Sequence, residues 1–530
     1  MEKKKLQIWL PLLFSIAMIA GIFLGYKMRD EIPGKSFFYM EKRRPVQEIM
    51  DLIKNKYVDD VDINGLADTA IQAILNKLDP HSVFIPAKEL QQVNEEIAGS
   101  FFGIGIEFGI FDDSLHVINV LKDGPSYKAG IRTGDKFLQA NGHIISGKKI
   151  SIDSIRDVLR GSRSSTVDIE ILRAAKKMTI RVTRGIIPLT SLDASYMIDS
   201  TTGYIRLNKF SQQTYREFMK SLEALKKQGM QKLIFDLRGN GGGVLDDAVE
   251  IADEFLDADK LITYTIGKHV PRKEYRSRRE GQFEKGALVV LADEGTASAS
   301  EVIIGALQDW DRATIIGRRT FGKGLVQDQF DLSDGSALRL TIARYYTPIG
   351  RSIQRSYVNG GKAYYEEIGN RYQDGENFVA DSIRNDSSKI YKTASGKKVF
   401  GGGGITPDYF IAADTGRMGL SIAKIYSKGL LTDYGYKYYL SDPSILQLYK
   451  TPGDFARSFI LTENNWKLFE DMSMADSINL KELNDKEKMY LSRSLKTSIA
   501  RQLWRNEGYF EVSNVDDNVV KKALEIIKTQ

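Results

Sequence analysis

Hydrophobic and polar positions follow several distinct rhythms along this chain. From Leu6 to Gly25 there is no alternation: only Gln7 and Ser15 carry clearly polar side chains. Such a run, at about 1.5 Å rise per residue, spans about 30 Å, the hydrocarbon thickness of a bilayer. A transmembrane helix is therefore expected over residues 1–28. The competing reading is a cleaved signal peptide, whose apolar run is normally about 7–15 residues and ends in a small-x-small site. This run is longer and lacks a clear site, which favours an uncleaved anchor. Lys3, Lys4 and Lys5 precede it, and Lys27, Arg29, Lys35, Lys42, Arg43 and Arg44 follow it. Charge alone leaves the orientation open, because large domains translocate largely regardless of it.

Helical spacing begins after a linker over 29–44, marked by the Pro/Gly stretch Glu31–Phe37. Val46, Ile49, Met50, Ile53 and Tyr57 line one helix face, and Leu66, Ala70, Ile71, Ile74 and Leu75 another. Asp79-Pro80 ends the second helix, and the whole stretch 45–98 reads as an N-terminal helical region. Over 99–186 the elements shorten. His116–Val120, Phe137–Ala140, Val167–Leu172 and Met178–Val182 read as strands, Asn141-Gly142 as a hairpin turn, and Ser151–Arg160 as a short helix. Several short strands with one helix predict a small, partly open β-barrel.

From 187 to 415 strands and helices alternate. Gly203–Leu207, Lys232–Leu237 and Ala287–Ala292 read as strands; Thr214–Lys227, Val244–Leu256 and Ser298–Gln308 read as helices. That pattern predicts an α/β layer built from βαβ crossovers. Residues 355–400 are polar and Tyr-rich without clean periodicity and read as an insertion. Gly401–Gly404 reads as a flexible hinge, and 416–530 as a mostly helical extension. There are no internal repeats.

Composition narrows the chemistry. At about 150 residues per domain, 530 residues suggest about three to four modules. The 75 basic residues exceed the 69 acidic ones by only 6, which gives no reason to invoke nucleic acid. Cysteine is absent. That removes thiol nucleophiles, disulfides, thiolate zinc sites and a lipidated-cysteine anchor, while leaving the compartment open. Only four histidines occur, at His81, His116, His143 and His269, which argues against a His-rich metal site. A hydrolase must use one of them or do without.

Three loops are placed where chemistry could occur. Asp236-Leu-Arg-Gly-Asn-Gly-Gly-Gly243 joins a buried strand to a helix, where backbone N–H groups and the helix dipole can face a negative centre. It lacks the GK[ST] of a phosphate loop and the spacing of a dinucleotide loop. One wall of an oxyanion hole and a plain tight turn both fit it. Gly295-Thr-Ala-Ser-Ala-Ser-Glu301 also joins a strand to a helix, so one of its serines is either a nucleophile or an ordinary helix cap. Thr320-Phe-Gly-Lys-Gly-Leu-Val-Gln327 sets a lysine between glycines. A solvated loop lysine is the plain reading. With so little histidine, a lysine base for a serine is the chemical one. Bringing lysine from about 10.4 to about 7–8 costs roughly 4 kcal/mol, which burial supplies.

Taken in order, these segments resemble the carboxyl-terminal processing peptidases, or tail-specific proteases. The resemblance runs from about Val46 to about Asp408. It rests on LDPHSVF at 78–84, GIGIEF at 103–108, AGIRTGDKFLQANG at 129–142, DLRGNGGG at 236–243, TASASE at 296–301, FGKGLVQ at 321–327, GRSIQ at 350–354 and GITPD at 404–408. It implies a crotonase-like α/β protease core over 187–415 with an inserted PDZ domain over 99–186. It also implies Ser298 as nucleophile, Lys323 as general base, Gln327 orienting the lysine, and the N–H groups of Ala299 and Gly242 as oxyanion donors. Members of that family usually have Pro where Gly241 stands. The PDZ resemblance implies that a chain end docks as an added strand, with its carboxylate at Phe102, Gly103, Ile104, Gly105 and Ile106. In that family the PDZ domain also gates the catalytic site. Arg238 and Asp236 belong either to that gating or to a structural pair, and the structural pair is favoured.

The expected protein is a single-pass, membrane-anchored serine endopeptidase with its bulk on the extracytoplasmic, periplasmic side. It would need no metal or cofactor. Its substrates would be proteins with exposed apolar C-terminal tails, with a regulatory adaptor as a further partner. A homo-oligomer, with a dimer favoured, is expected through 416–530, although a packing appendage is the other reading of that region. Two rival functions stand beside it. A catalytically silent PDZ adaptor has no use for Ser298, Lys323 and Gln327 together. A crotonase-like acyl-thioester lyase or hydratase has no use for a Ser/Lys pair or a PDZ module.

Overall fold

The computed structural model describes residues 2–28, 45–111, 113–147, 150–383, 389–414 and 419–530. The chain forms two compact units, 1–71 and 72–530. The first holds a helix over Glu2–Met28 and another over Pro45–Lys56, where the apolar spacing placed one. The linker expected over 29–44 lies outside the described residues. So do several side chains of the expected anchor; among the described residues no helix is long and apolar enough to cross a membrane.

In the second unit, residues 100–188 make the predicted β module. Five strands, Ile106–Phe111, Ser114–Val120, Lys136–Ala140, Thr166–Arg173 and Lys176–Thr183, pair in the order given, and the Ile152–Leu159 helix lies in the connection between the third and the fourth. Asn141 and Gly142 turn the chain with φ of 49° and 78°, the left-handed pair that a two-residue hairpin needs. Val117, Phe137, Ile155, Val167, Ile169 and Ile171 are buried inside. Ile106–Phe111 is an edge strand.

The α/β region is built on a six-stranded sheet. Leu192–Met197 pairs antiparallel with Thr202–Leu207, and Lys232–Asp236, Leu288–Ala292, Thr314–Gly317 and Tyr409–Phe410 follow in parallel. Lys232–Asp236 and Leu288–Ala292 are neighbours, so the two loops after their carboxyl ends come together. The helices Thr214–Lys227, Leu245–Asp253 and Ala299–Asp309 pack Phe218, Ile251, Ile303 and Leu307 against Phe235 and Val290. Every residue of Ala299–Asp309 is buried. A second sheet sets Leu325–Asp331 and Val83–Ile85 on either side of Ala337–Tyr346.

One expectation needs correction, and one stretch gains structure that its pattern did not show. Within the stretch read as an insertion, 355–400, lie a helix, Gly360–Gln373, and a hairpin, Ile390–Lys392 with Lys398–Phe400. The helix carries Gly360, Gly361 and Gly369 and has no continuous apolar stripe, so its periodicity is faint. It is fixed instead by buried Tyr364 and Arg371. Gly401–Gly404 is not a free hinge. A Cβ at Gly404 would lie 2.3 Å from the Thr320 carbonyl oxygen, and the Gly404 N–H donates to Ile353. The glycines permit close packing against the 320–322 loop.

The extension forms its own helical core around Tyr434, Phe455, Phe469, Leu491, Leu495 and Ile499. Its final helix, Asn518–Thr529, buries Val519, Val520, Ala523 and Ile527 against Tyr204, Ile234, Val289, Leu291 and Ile316 of the large sheet.

Candidate active site

Ser298 stands immediately before the helix Ala299–Asp309, with φ 56° and ψ −117°. That conformation is costly for a residue with a Cβ and holds only where the surroundings impose it. Three contacts impose it. The Ser298 N–H donates to Glu301 Oε2 at 2.9 Å. The single Tyr345 hydroxyl proton is shared between the Lys323 carbonyl at 2.6 Å and the Ser298 carbonyl at 3.1 Å. Gly242 packs so closely that a Cβ there would meet Ser298 Cβ at 2.7 Å and the Ala299 nitrogen at 2.9 Å. The serine hydroxyl thus sits at a helix N-terminus, where the dipole favours negative charge.

Glu301 ties the serine turn to the lysine loop. It is fully buried, and its carboxylate accepts from the Ser298 N–H, the Lys323 N–H at 2.9 Å, the Gly322 N–H at 2.8 Å and the Thr320 hydroxyl. Burial pushes its carboxyl up to about 7, against those four donors. Four donors and no acceptor suit the charged form, because each lone-pair position already has a partner.

Lys323 donates from Nζ to Gln327 Oε1 at 3.0 Å, and Gln327 Nε2 donates to the His81 carbonyl. Burial draws the lysine below its ordinary range, and the Arg339 guanidinium adds to this, while Glu301 and Asp79 oppose it. His81 is held down to about 4 by burial and then by Lys323, so the imidazole is neutral near pH 7. Its Nε2 and the Tyr364 hydroxyl are 2.9 Å apart.

Ser298, Ala299, Gly242, Lys323 and Gln327 line one cavity of about 680 Å³. Val93, Ile97, Val244, Leu245 and Leu325 give it apolar walls, and Glu96, Lys209, Asp246 and Arg339 supply charge. Within it no hydrogen bond joins Ser298 to Lys323 among the described residues, so the lysine rests on Gln327. The Gly242 N–H, expected as an oxyanion donor, donates to Asn240 Oδ1 at 2.9 Å. Asn240 is locked in turn: its Nδ2 donates to the Leu207 carbonyl, and its carbonyl accepts from the Ala297 N–H and the Ser300 hydroxyl. Proline at 241 would restrict this turn through its fixed φ, and glycine does not.

Asp236 and Arg238 do not line the cavity. Asp236 is buried and is paired with Arg238 at 2.7 Å, Arg206 at 2.8 Å and the Tyr204 hydroxyl at 2.6 Å. Burial would raise its carboxyl, but the two arginines hold it well below the usual carboxylate range. The favoured structural pair is what the geometry contains, and Arg238 also reaches Asp517 of the extension at 2.8 Å.

The five chain-end residues sit elsewhere, on the β module. Phe102 and Gly103 belong to the strand Ser100–Gly103, paired with Gly185–Pro188. Ile104 and Gly105 form the turn into the edge strand that Ile106 begins, and Gly105 has φ 75°. The turn is pinned by its carbonyls, which accept from the Ser126 and Leu121 N–H groups.

The contacts of Glu301, Tyr345, His81 and Arg339 at this site were not expected from the sequence. Only Glu301 had a local signal, the Ser-x-x-Glu spacing of a capping box at a helix start.

Residues 201–360 match peptidase family S41, 103–183 a PDZ domain, 28–89 the N-terminal domain of the activating protease CtpB, and 422–505 a family of unknown function. The chain is 33% identical to the carboxy-terminal-processing protease of Bartonella bacilliformis, over 58% of this chain and 71% of that one. It is 33% identical to the carboxy-terminal processing protease CtpB of Bacillus subtilis, over 64% of this chain and 73% of that one. Among solved structures it is similar to the photosystem II D1 C-terminal processing protease, at 30% identity and a TM-score of 0.34, over 58% of this chain and 83% of that one. At 33% identity over more than two thirds of the Bartonella and Bacillus proteases, with a PDZ module set ahead of an S41 core, this chain belongs to the carboxy-terminal processing protease family and is a serine-type endopeptidase.

Proposed function

We propose that the chain cleaves proteins whose C-terminal tails engage its PDZ domain, with Ser298 as nucleophile and Lys323 as general base. The observation that carries this reading is the shared cavity. A serine in a forced backbone conformation at a helix N-terminus faces the same space as a desolvated lysine held by a glutamine.

Neutral Lys323 takes the Ser298 proton as Oγ adds to the scissile carbonyl. The hydrogen bond that a Lys323 N–H donates to Gln327 Oε1 fixes the amine and leaves its lone pair for the serine. The Ala299 N–H and the freed Gly242 N–H receive the oxyanion. The ammonium then protonates the leaving amine as the C–N bond breaks, and water attacks the acyl-enzyme with Lys323 again as base. The geometry described above corresponds to a resting arrangement. Turnover requires Lys323 to swing toward Ser298 and the Asn240 turn to release Gly242. The α/β layers are read as a crotonase-like core. The apolar run Leu6–Gly25 is read as a membrane anchor with the remainder on the extracytoplasmic side. A homodimer and a regulatory adaptor complete the proposal.

The test uses an unfolded reporter ending in an apolar tail, with a free or an amidated carboxyl end. Residues from about 30 onward should cleave the free-ended reporter about tenfold faster or more, the usual worth of a charge-assisted hydrogen bond. Ser298→Ala and Lys323→Ala should each abolish cleavage. Cleavage persisting in either variant would sink the dyad, and equal rates on both reporters would sink the PDZ step.

A further inference from the structure

The helical extension, whose residues 422–505 match a family of unknown function, contacts the PDZ domain from within that stretch and the protease core from the residues just after it. On the PDZ side, Tyr436 is fully buried and stacks on Phe111, with ring centres 4.9 Å apart and planes 17° apart. Its hydroxyl lies 3.2 Å from His116 Nδ1. Gln502 Nε2 donates to the Ile118 carbonyl at 2.9 Å, and Arg505 pairs with Glu107. All four PDZ residues lie on the hairpin Ile106–Phe111 and Ser114–Val120, whose first strand is the open edge that a tail would extend.

On the core side, Asn506 Nδ2 donates to Asp193 Oδ1 at 2.7 Å, and Asn514 Nδ2 to the Tyr196 hydroxyl at 2.8 Å. Arg206 lies over the Phe510 ring at 4.4 Å, and Asp517 receives Arg238. The changeover happens within one turn of chain: Gln502 and Arg505 hold the PDZ hairpin, and Asn506 holds the core.

That turn is not an ordinary helix. Inside Asp485–Ser513, Trp504 has φ −129° and ψ 15°, and Arg505 has φ 60° and ψ −143°. A side-chain-bearing residue reaches this region only at a cost, and such cost concentrates where geometry serves a function. Gly508 lets the kink close, since a Cβ there would lie 2.5 Å from the Ala500 carbonyl oxygen. An unbroken helix would point residues 502, 505 and 506 along one continuous surface; the kink lets them part between two domains.

We propose that residues 416–530 act as an intramolecular clasp: the Gln502–Asn506 kink fastens the tail-receiving PDZ hairpin to the protease core, and tail docking promotes cleavage only while the hairpin is fastened. This rests on the PDZ-directed reading above and adds to it the element that couples the PDZ domain to the core. The PDZ domain is already tied to the catalytic side by another contact. Arg160 of the PDZ domain pairs with Glu95 at 3.2 Å, on the same helix whose Val93, Glu96 and Ile97 line the Ser298 cavity. The clasp gives that linkage a fixed second support.

The test uses the full chain and two readouts: the ratio of cleavage rates for free and amidated reporter, and fluorophosphonate labelling of Ser298 without reporter. The double variant Gln502→Ala/Arg505→Glu should bring the ratio from about tenfold or more to near one, with labelling unchanged. Adding Glu107→Arg to Arg505→Glu alone should restore most of the ratio that Arg505→Glu loses. A second variant guards against misfolding. Because the chain has no cysteine, Glu107→Cys/Arg505→Cys carries the only two thiols, and a short bis-maleimide can join them. The joined protein should keep the ratio. A wild-type ratio in the double variant, or loss of the ratio on joining, overturns the clasp. Wild type that labels but shows no preference refutes the PDZ step and the clasp together. Wild type that does not label at Ser298 refutes the dyad itself.

Discussion

At the scale of single residues, the site depends on a few buried polar groups that hold one another. Glu301 is the plainest case. Replacing it with Gln keeps the volume but turns two acceptors into one acceptor and one donor, which then faces N–H groups. Leaving buried donors unpaired costs about 1–3 kcal/mol each. Glu301→Gln should therefore lower the melting temperature and slow Ser298 labelling by more than about tenfold; an unchanged variant would mean that the carboxylate does not position the turn. Lys323 gives a pH prediction with a definite sign. The base works only when neutral, so labelling rises with pH and levels off above the lysine pKa. Burial, aided by Arg339, sets that pKa below the ordinary lysine range, with Glu301 and Asp79 opposing. The midpoint of that rise should lie below that of an ordinary lysine. Arg339→Gln removes one depressing charge, so its midpoint should move to higher pH, and a midpoint that stays put would show that burial alone sets it. Ser298 and Lys323 were singled out by the family resemblance of their motifs, since their loops alone fit a helix cap and a solvated lysine equally well. Tyr345 was not, because it reaches Ser298 from 47 residues away on a strand whose own pattern is that of any half-buried strand.

At the scale of elements, periodicity served best where one face meets a core. Thr214–Lys227 is a helix over the same residues that its apolar spacing marks, and it buries Phe218, Leu222 and Leu225 on that face. The helix Gly360–Gln373 went unseen because buried polar groups rather than an apolar stripe anchor it: Arg371 donates to the Thr320 carbonyl at 2.9 Å, and Arg355 lies 4.0 Å from the Tyr364 ring centre. The glycines at 401–404 read as loose for the same reason. A glycine in sequence signals freedom, whereas here it signals lack of room. The last helix yields an element-scale prediction. Ile527 is fully buried against the large sheet. Ile527→Ala should cost about 2–5 kcal/mol, read as a fall in the denaturation midpoint. A loss within about 0.5 kcal/mol, the range of a surface substitution, would mean that this helix does not pack there in solution.

At the scale of the whole molecule, the order of modules was legible and their joining was not. The β module, the α/β core and the helical extension each carry their own pattern. No periodicity says that Tyr436 will meet Phe111 or that Arg238 will meet Asp517, since those pairs are set by how the modules dock. The same holds for the resting arrangement. Ser298, Lys323 and Gly242 share a cavity, yet the lysine is held by Gln327 and the Gly242 N–H by Asn240. The enzyme is therefore expected to be assembled but waiting, with the dyad closing once a substrate or a fluorophosphonate occupies the cavity.

The most direct measurement is peptide mapping of the fluorophosphonate adduct on the intact chain, followed over time for wild type and Lys323→Ala. The account predicts one adduct per chain, on Ser298, formed at least about a hundredfold more slowly without the lysine, the usual scale for removing a general base. An adduct on another serine, or equal rates with and without Lys323, would contradict it.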